Sequence, residues 1–261
     1  TAAATRAATR AATRAAAPSQ RAAEQTAPHD FGAETVIASL RTVSVADSRG
    51  GVALRDASLD VHAGEIVGIA AVEGSGQHEL LRLLAGRLAP TSGHLTLPAN
   101  IAFIPEDRHR DAMVLDMSLV ENVALRGLGA RRGRMPWSAL RAATAKVIER
   151  FDVRGPGAGA AGRALSGGNQ QKLVLGRELA DRPAMVVAEN PTRGLDIRAT
   201  AAVLEQLRAA ADAGSGVVLY SSDLDEVLGL ADRMFVVHAG HLLAVVPPTR
   251  ETVGRAMLGA E

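Results

Sequence analysis

The segment L-S-G-G-N-Q-Q-K at residues 165–172 restricts the possible fold more than any other part of the chain. A serine and two glycines precede an apolar, helix-favouring run that begins at Leu173, so the pattern predicts a tight turn that opens a helix. Backbone N–H groups in a first helical turn have no internal partner and lie at the positive end of the helix dipole, which suits them to bind a phosphate. Ser166 adds a hydroxyl donor, and Gly167 and Gly168 let a ligand approach the backbone.

The residues that follow place this Ser-Gly-Gly turn (residues 166–168) in a specific order of motifs. An apolar run at residues 184–188 is followed by E-N-P-T-R-G-L-D at residues 189–196. This order resembles the nucleotide-binding domain of ATP-binding cassette (ABC) transporters, in which a signature turn, a helix, the Walker B strand and the D-loop follow one another. The long form L-S-G-G-N-Q-Q-K is similar to that of sugar and nucleoside importer ATPases. The resemblance implies ATP binding by Ser166, Gly167, Gly168, Gln170 and Asp196.

The resemblance covers residues 36–258 and implies an α/β fold. We expect a P-loop NTPase-type core with a mainly parallel sheet, an antiparallel β edge sheet and a helical subdomain inserted at about residues 110–165. The Ile/Val-rich run at residues 65–71 is typical of a buried strand. Short β-favouring segments that predict the edge sheet lie at residues 40–45, 52–54 and 59–61. The nucleotide-binding domain is expected at residues 35–261.

Residues 1–34 differ in composition from the rest of the chain, because Ala-Ala-Thr-Arg repeats there with a period of four. An Arg-rich, acid-poor start is also typical of a targeting peptide or of a segment that binds an anionic surface. We interpret it as a low-complexity tail or linker, since so few large apolar residues cannot form a core. The chain begins with Thr1, and we expect it to be a piece of a longer protein.

Composition limits the remaining function classes. Apolar residues make up 47% of the chain, enough for a sizeable core, and the absence of cysteine excludes disulfides and thiolate metal sites. The net charge of +1 does not indicate a nucleic-acid partner, and no aromatic residues interleave with Arg131, Arg132 and Arg134. We therefore predict no nucleic-acid binding. Because no run of about eighteen apolar residues occurs, any membrane role requires a partner.

The strand at residues 65–71 leads into a segment at the position of the family's phosphate-binding loop, residues 71–79, which we call the P-loop segment. A working P-loop reads G-x-x-x-x-G-K-[ST], where the lysine contacts the β- and γ-phosphates and the hydroxyl holds Mg²⁺. Here Ala71, Gln77 and His78 replace the first glycine, the lysine and the hydroxyl residue. The resemblance still implies nucleotide-binding positions at Glu73, Gly74, Ser75, Gly76, Gln77 and His78. Alternatively, the segment is an ordinary strand-to-helix turn.

Three further family positions are altered. Glu189 stands where the family has an aspartate that faces Mg²⁺, and it could still hold the metal through water. Asn190 stands where the resemblance implies a catalytic glutamate, and an amide cannot accept a proton. Ser222 stands at the place of the switch histidine. We expect Glu189, Asn190 and Ser222 to be impaired catalytic positions.

The segment at residues 104–122 resembles the Q-loop region of nucleoside-type importers, in their second half. It places Glu106 at the glutamine position, and the resemblance implies that Glu106 is a nucleotide-binding residue. As a cluster of alternating charges it could also be a solvated loop. The seven histidines of the chain show no paired spacing on a common face. We therefore expect His78, His238 and His241 to be ordinary surface or turn residues rather than metal ligands.

Together these features favour the second half of a tandem importer ATPase, with an intact Ser-Gly-Gly turn but altered hydrolytic positions. Such a chain is expected to act at the cytoplasmic face of the bacterial inner membrane and to energise import of a nucleoside or simple sugar. The expected partners are a second ABC domain, which holds ATP and Mg²⁺, and transmembrane permease subunits. The alternative is a pseudo-ATPase that pairs with or regulates another ABC protein without hydrolysing ATP.

Overall fold

The computed structural model describes residues 35–46 and 51–260, so the predicted tail at residues 1–34 lies outside the described residues. Within the described part, nine strands form two sheets, and eight helices accompany them. The α/β fold with a mainly parallel sheet and an antiparallel second sheet is confirmed.

The elements follow one another in a mixed order. The strands are β1 (Val36–Ala46), β2 (Val52–His62), β3 (Ile66–Ala71), β4 (Ser92–Thr96), β5 (Ile101–Ile104), β6 (Met185–Glu189), β7 (Gly216–Tyr220), β8 (Arg233–His238) and β9 (His241–Val245). The helices are α1 (Gln77–Leu84), α2 (Arg108–Asp111), α3 (Leu119–Ala124), α4 (Trp137–Arg150), α5 (Gly167–Leu179), α6 (Ile197–Asp212), α7 (Leu224–Leu230) and α8 (Arg250–Met257).

The larger sheet has the strand order β5-β6-β7-β3-β8-β9, and all neighbours except β8 and β9 pair in parallel. Its strands other than the edge strand β9 are buried on both faces: Val187 of β6 packs in one apolar core with helix α1, and Val186 packs in another with helices α5 and α6. Double burial explains why these strands read as continuous apolar runs. Since β3, β5, β6 and β7 are parallel, the loops that follow them lie at one edge of the sheet.

The smaller sheet has the order β2-β1-β4 and is antiparallel. The sequence pattern suggested two short segments at residues 52–54 and 59–61, whereas β2 runs through both without a break. Asp56 accounts for the difference: it takes a positive φ of 46°, and its N–H donates to the Ser44 hydroxyl at 3.1 Å. The polar residues therefore form an irregularity within one strand and do not end it.

Helices α2 to α4 lie between β5 and α5 in the chain and pack against α5. Leu119 of α3 and Phe151, which follows α4, belong to the same buried core as Leu173 of α5. Gly176 of α5 makes this packing close, since a β-carbon there would lie 2.7 Å from side-chain atoms of both Phe151 and Val147. Among the described residues, no helix has the length and hydropathy needed to cross a membrane.

Replacing Gly176 with alanine tests this helix packing. The added methyl group would overlap Phe151 and Val147, so we expect the Gly176→Ala variant to lose about 1–3 kcal/mol of unfolding free energy. Gly254, within α8, is a matched control because a β-carbon there meets nothing within 4 Å. Gly254→Ala should be neutral or gain up to about 1 kcal/mol from helix propensity. Urea unfolding curves measure both values, and equal midpoints for the two variants would contradict the packing described.

Candidate functional site

The P-loop segment keeps a tight backbone turn between β3 and α1. Gly76 precedes α1 with a φ of 106°, and a β-carbon at this position would lie 2.2 Å from the Ala53 carbonyl oxygen. The Ser75 carbonyl accepts a hydrogen bond from the Gly240 N–H at 3.0 Å, which fixes the turn to the β8–β9 hairpin. Gly74 is exposed, with a φ of 82°. The segment therefore has the shape of a strand-to-helix loop with a glycine that no larger residue could replace without movement.

Gln77 is completely buried at the start of α1. Its amide Nε2 donates to a carboxylate oxygen of Glu73 at 3.1 Å. The residue at the lysine position of a P-loop thus offers a neutral amide that is already bonded within the loop.

His78 lies between two carboxylates. Its Nε2 is 2.8 Å from Glu73, and its Nδ1 is hydrogen-bonded to Glu189 at the end of β6. Because both ring nitrogens face carboxylate oxygens, both donate, and the ring is an imidazolium. The hydrogen bond to Glu189 raises the pKa of His78 to about 9, with a further contribution from Glu73 and against the lowering effect of burial. The expectation that His78 is an ordinary surface or turn residue is wrong, because β3 and β6 end at the same edge of the sheet.

Asn190 connects three loops at this edge. It follows β6 with a φ of 42°, and its side-chain amide donates to Glu106 at 2.8 Å. Its side-chain oxygen accepts the Ser222 backbone N–H at 2.7 Å. Glu106 also forms an ion pair with Arg193. The structure therefore brings together the predicted positions Glu106, Glu189, Asn190 and Ser222, which are distant in sequence. Arg193, which sequence reasoning did not single out, completes the group.

The Ser-Gly-Gly turn lies at the start of α5, as predicted. Ser166 is exposed and precedes the helix, and its hydroxyl accepts a hydrogen bond from the Asn169 amide at 2.8 Å. Gly167 and Gly168 form the first helical positions and are partly exposed. Gln170, by contrast, is buried, and its side-chain oxygen lies 2.8 Å from the His109 ring. Gln170 therefore ties the turn to α2.

Asp196 and the loop before α6 are also exposed. The Asp196 carboxylate accepts the Ala199 backbone N–H at 2.9 Å and caps α6. Ile197 follows with 88% of its surface exposed. A buried hydrogen bond of 2.7 Å from the Gln171 side chain to the Pro191 carbonyl links α5 to the segment that leads into this loop.

Comparison with known proteins agrees with this geometry. A family model described as ABC transporter matches residues 54–193. The chain belongs to the ABC transporter ATP-binding family. The structure of this ABC domain resembles a dimeric ATP-binding cassette, MJ0796, bound to ADP and phosphate, with a TM-score of 0.68, 22% identity, and coverage of 79% of this chain and 96% of the other. The fold is thus shared with solved ABC cassettes.

Several curated relatives of the ABC domain are import ATP-binding proteins. The nucleoside import ATP-binding protein NupA of Lactococcus lactis is 35% identical over 86% of this chain and 48% of its own length. The guanosine import ATP-binding protein NupO of Bacillus subtilis is 38% identical over 84% and 47% of the two chains. The glucose import ATP-binding protein TsgD13 of Haloferax volcanii is 38% identical over 84% and 44%. The chain spans about half the length of these relatives.

ABC ATPases bind ATP with Mg²⁺, so we tested whether the P-loop segment of this ABC domain fits that ligand. A triphosphate requires cationic donors, and Mg²⁺ requires oxygen ligands. Instead, Gln77 is bonded to Glu73, and His78 stands at the hydroxyl position and contacts two carboxylates. Six carboxylate residues and three arginines line the cleft of about 920 Å³ at this segment, which we call the P-loop cleft. Its residues do not fit a Mg²⁺-bound triphosphate.

The state of His78 predicts a pH dependence of stability. Its pKa rises from 6.5 to about 9 on folding, so the stabilising contacts are complete below about pH 6.5 and are lost as the pH rises through about 9. We expect the unfolding free energy to fall by about 1 kcal/mol over this range, after allowance for solvent screening. His78→Gln should remove this slope, measured by urea unfolding in a buffer that contains a chelator.

The matched control for this pH experiment is the exposed histidine of β4, His94. The His94→Gln variant should keep the slope of the parent chain. A slope that survives in His78→Gln would place the titrating group elsewhere.

Proposed function

We propose that this chain is one half of an ABC ATPase that energises import of a nucleoside or simple sugar. In this proposal its Ser-Gly-Gly turn completes an ATP site whose P-loop belongs to another ABC domain, as in the second half of a tandem importer ATPase. The carrying observation is the contrast between two surfaces: Ser166 is exposed, whereas the P-loop segment is internally bonded by Glu73, His78 and Glu189. The import names of its relatives, about twice as long as this chain, support the proposal.

The turn would act on phosphate bound by the partner domain. The backbone N–H groups at the start of α5 and the Ser166 hydroxyl supply donors at the positive end of a thirteen-residue helix. Such donors stabilise the negative charge that develops in phosphoryl transfer. Asn169 holds the Ser166 hydroxyl, and Gln170 anchors the turn to α2, so the donors are held in place before a ligand arrives. Mg²⁺ and ATP would be held by the partner.

The helical subdomain, proposed at about residues 110–165, would pass closure of the two domains to transmembrane permease subunits. Val114 and Met117 follow the Glu106 loop with 42% and 37% of their surfaces exposed, and apolar residues on such a segment suit docking to another protein. Through these contacts the chain would lie peripherally at the cytoplasmic face of the membrane. Residues 1–34 would be a tail or linker outside the domain at residues 35–261.

The second candidate is a pseudo-ATPase module that regulates another ABC protein without hydrolysing ATP. The internal hydrogen bonds of the P-loop segment support this candidate as well as the first, because neither requires a working ATP site in this chain. They differ in whether the Ser-Gly-Gly turn takes part in hydrolysis by the partner.

Ser166→Arg separates the two candidates. In the assembled transporter, with a competent ABC domain and permease, the arginine would block the approach of the turn to the partner's phosphate. We expect ATP turnover to fall about 100-fold, a loss typical of one transition-state donor. Ser92→Arg, at an exposed serine of β4 outside the helical subdomain, is the matched control and should leave turnover within about twofold. Phosphate release measures both, and unchanged turnover in Ser166→Arg would rule out the importer role.

The chain by itself should hydrolyse ATP negligibly, and Gln77→Lys should not create activity. Restoring the lysine leaves His78 bonded to Glu189 and leaves an amide at position 190. Phosphate release by the purified chain and by the variant tests this expectation. Recovery of turnover by that single change would show that the remaining positions are competent.

A further inference from the structure

We propose that His78, Glu106 and Glu189 form a binding site for one divalent transition-metal ion, with Zn²⁺ as the best match, and that the ion binds without nucleotide. The inference concerns the P-loop cleft of this chain alone. It does not depend on the role proposed for the Ser-Gly-Gly turn.

The geometry carries the proposal. One ligand atom from each of His78, Glu106 and Glu189 lies within 4.8 Å of the other two. The three residues come from the start of α1, the loop after β5 and the end of β6, so elements of the packed core position them. Zinc takes nitrogen and oxygen ligands at about 2.0–2.2 Å, which separates neighbouring ligand atoms by roughly 3.5 Å. Zn²⁺ binding would require the three ligand atoms to take up that spacing, with water as a fourth ligand.

The hydrogen bonds around His78 and Glu106 resemble those that orient histidine and carboxylate ligands in known metal sites. The His78 Nδ1 faces Glu189, while Nε2 on the other side of the ring lies 2.8 Å from Glu73. A carboxylate on the far ring nitrogen orients a ligating imidazole and makes it more basic. Asn190 donates to Glu106 at 2.8 Å and orients that carboxylate in the same way. The ion would take the place of the proton between His78 and Glu189.

The charge of the P-loop cleft also suits a cation better than an anion. Its lining includes Glu73, Glu106, Glu189 and three more carboxylate residues, against three arginines. Two of those arginines are paired, Arg193 with Glu106 and Arg82 with Asp111. With the His78 imidazolium counted, six carboxylates face four cationic side chains, so the cleft keeps a net negative charge that a divalent cation would offset.

The donor set decides which ion fits. Mg²⁺ prefers six oxygen ligands in a regular octahedron and keeps several waters, so an imidazole at the centre of the site disfavours it. An imidazole nitrogen and carboxylate oxygens are ligands that zinc and other first-row transition metals accept. The substitution of a histidine for the hydroxyl of a P-loop thus changes the metal preference of the site.

Metal titration of the full chain tests the proposal. Calorimetry with Zn²⁺ alone should give one ion per chain, and Mg²⁺ should bind about 100-fold more weakly. Co²⁺ should give visible absorption bands of a low-coordinate N/O site, and Zn²⁺ should abolish these bands by displacing Co²⁺. Neither measurement includes nucleotide or activity.

Variants identify the ligands. His78→Gln should weaken Zn²⁺ binding about 100-fold, and Glu73→Gln, which neutralises the carboxylate on the far side of the imidazole ring, should weaken it about tenfold. His94→Gln, at an exposed histidine outside the cleft, is the control and should bind as the parent chain does. Because Glu73 is 74% exposed, its variant tests the site even if His78→Gln fails to fold.

Three results would overturn the site. They are no saturable binding of Zn²⁺, equal binding of Mg²⁺, or parent-like affinity in His78→Gln or, should that variant not fold, in Glu73→Gln. Binding lost in His94→Gln would likewise move the ion to another surface. Failure of the metal site would leave the effect of Ser166→Arg on turnover unchanged, so the two proposals are tested separately.

Discussion

The parallel pairing of β3, β5, β6 and β7 is the constraint on which the rest of the site depends. Parallel strands end at one edge, so residues more than a hundred positions apart in the chain, such as His78 and Glu189, come into hydrogen-bonding contact. The apolar side chains on both faces of these strands fix that edge, because each strand packs in two cores. The chemistry of the edge can therefore change by substitution while the backbone that presents it stays the same.

Charged side chains still lie at this edge of the sheet, but at other positions than in a family P-loop. A family P-loop provides a lysine for phosphates and a hydroxyl for Mg²⁺. In this chain the same two positions hold a buried glutamine and a histidine, and both contact Glu73. Favourable contacts now form within the domain, between the imidazolium and two carboxylates. An ABC domain with this arrangement keeps the fold of its family while its own loop no longer suits a triphosphate.

The sequence predicted much of this architecture, because double burial and glycine turns leave clear patterns. Residues 65–71 read as a buried strand, and the structure places β3 there. The polar pair Arg55-Asp56 misled the prediction of β2, since an irregularity inside a strand has the same polar signal as a turn. The partners of His78 could not be predicted either. Only the sheet order brings Glu189 to its ring, and spacing along the chain carries no information on that order. Arg193 was missed for the same reason.

The buried hydrogen bond from Gln171 to the Pro191 carbonyl has a consequence for how the domain would meet a partner. It joins the helix that begins with Ser166 to the segment that precedes the exposed Ile197. A rotation of α5 would strain this bond unless the segment at Pro191 moved with it. The two exposed surfaces would thus shift as one unit, and a neighbouring domain that contacts either of them would sense the displacement of both.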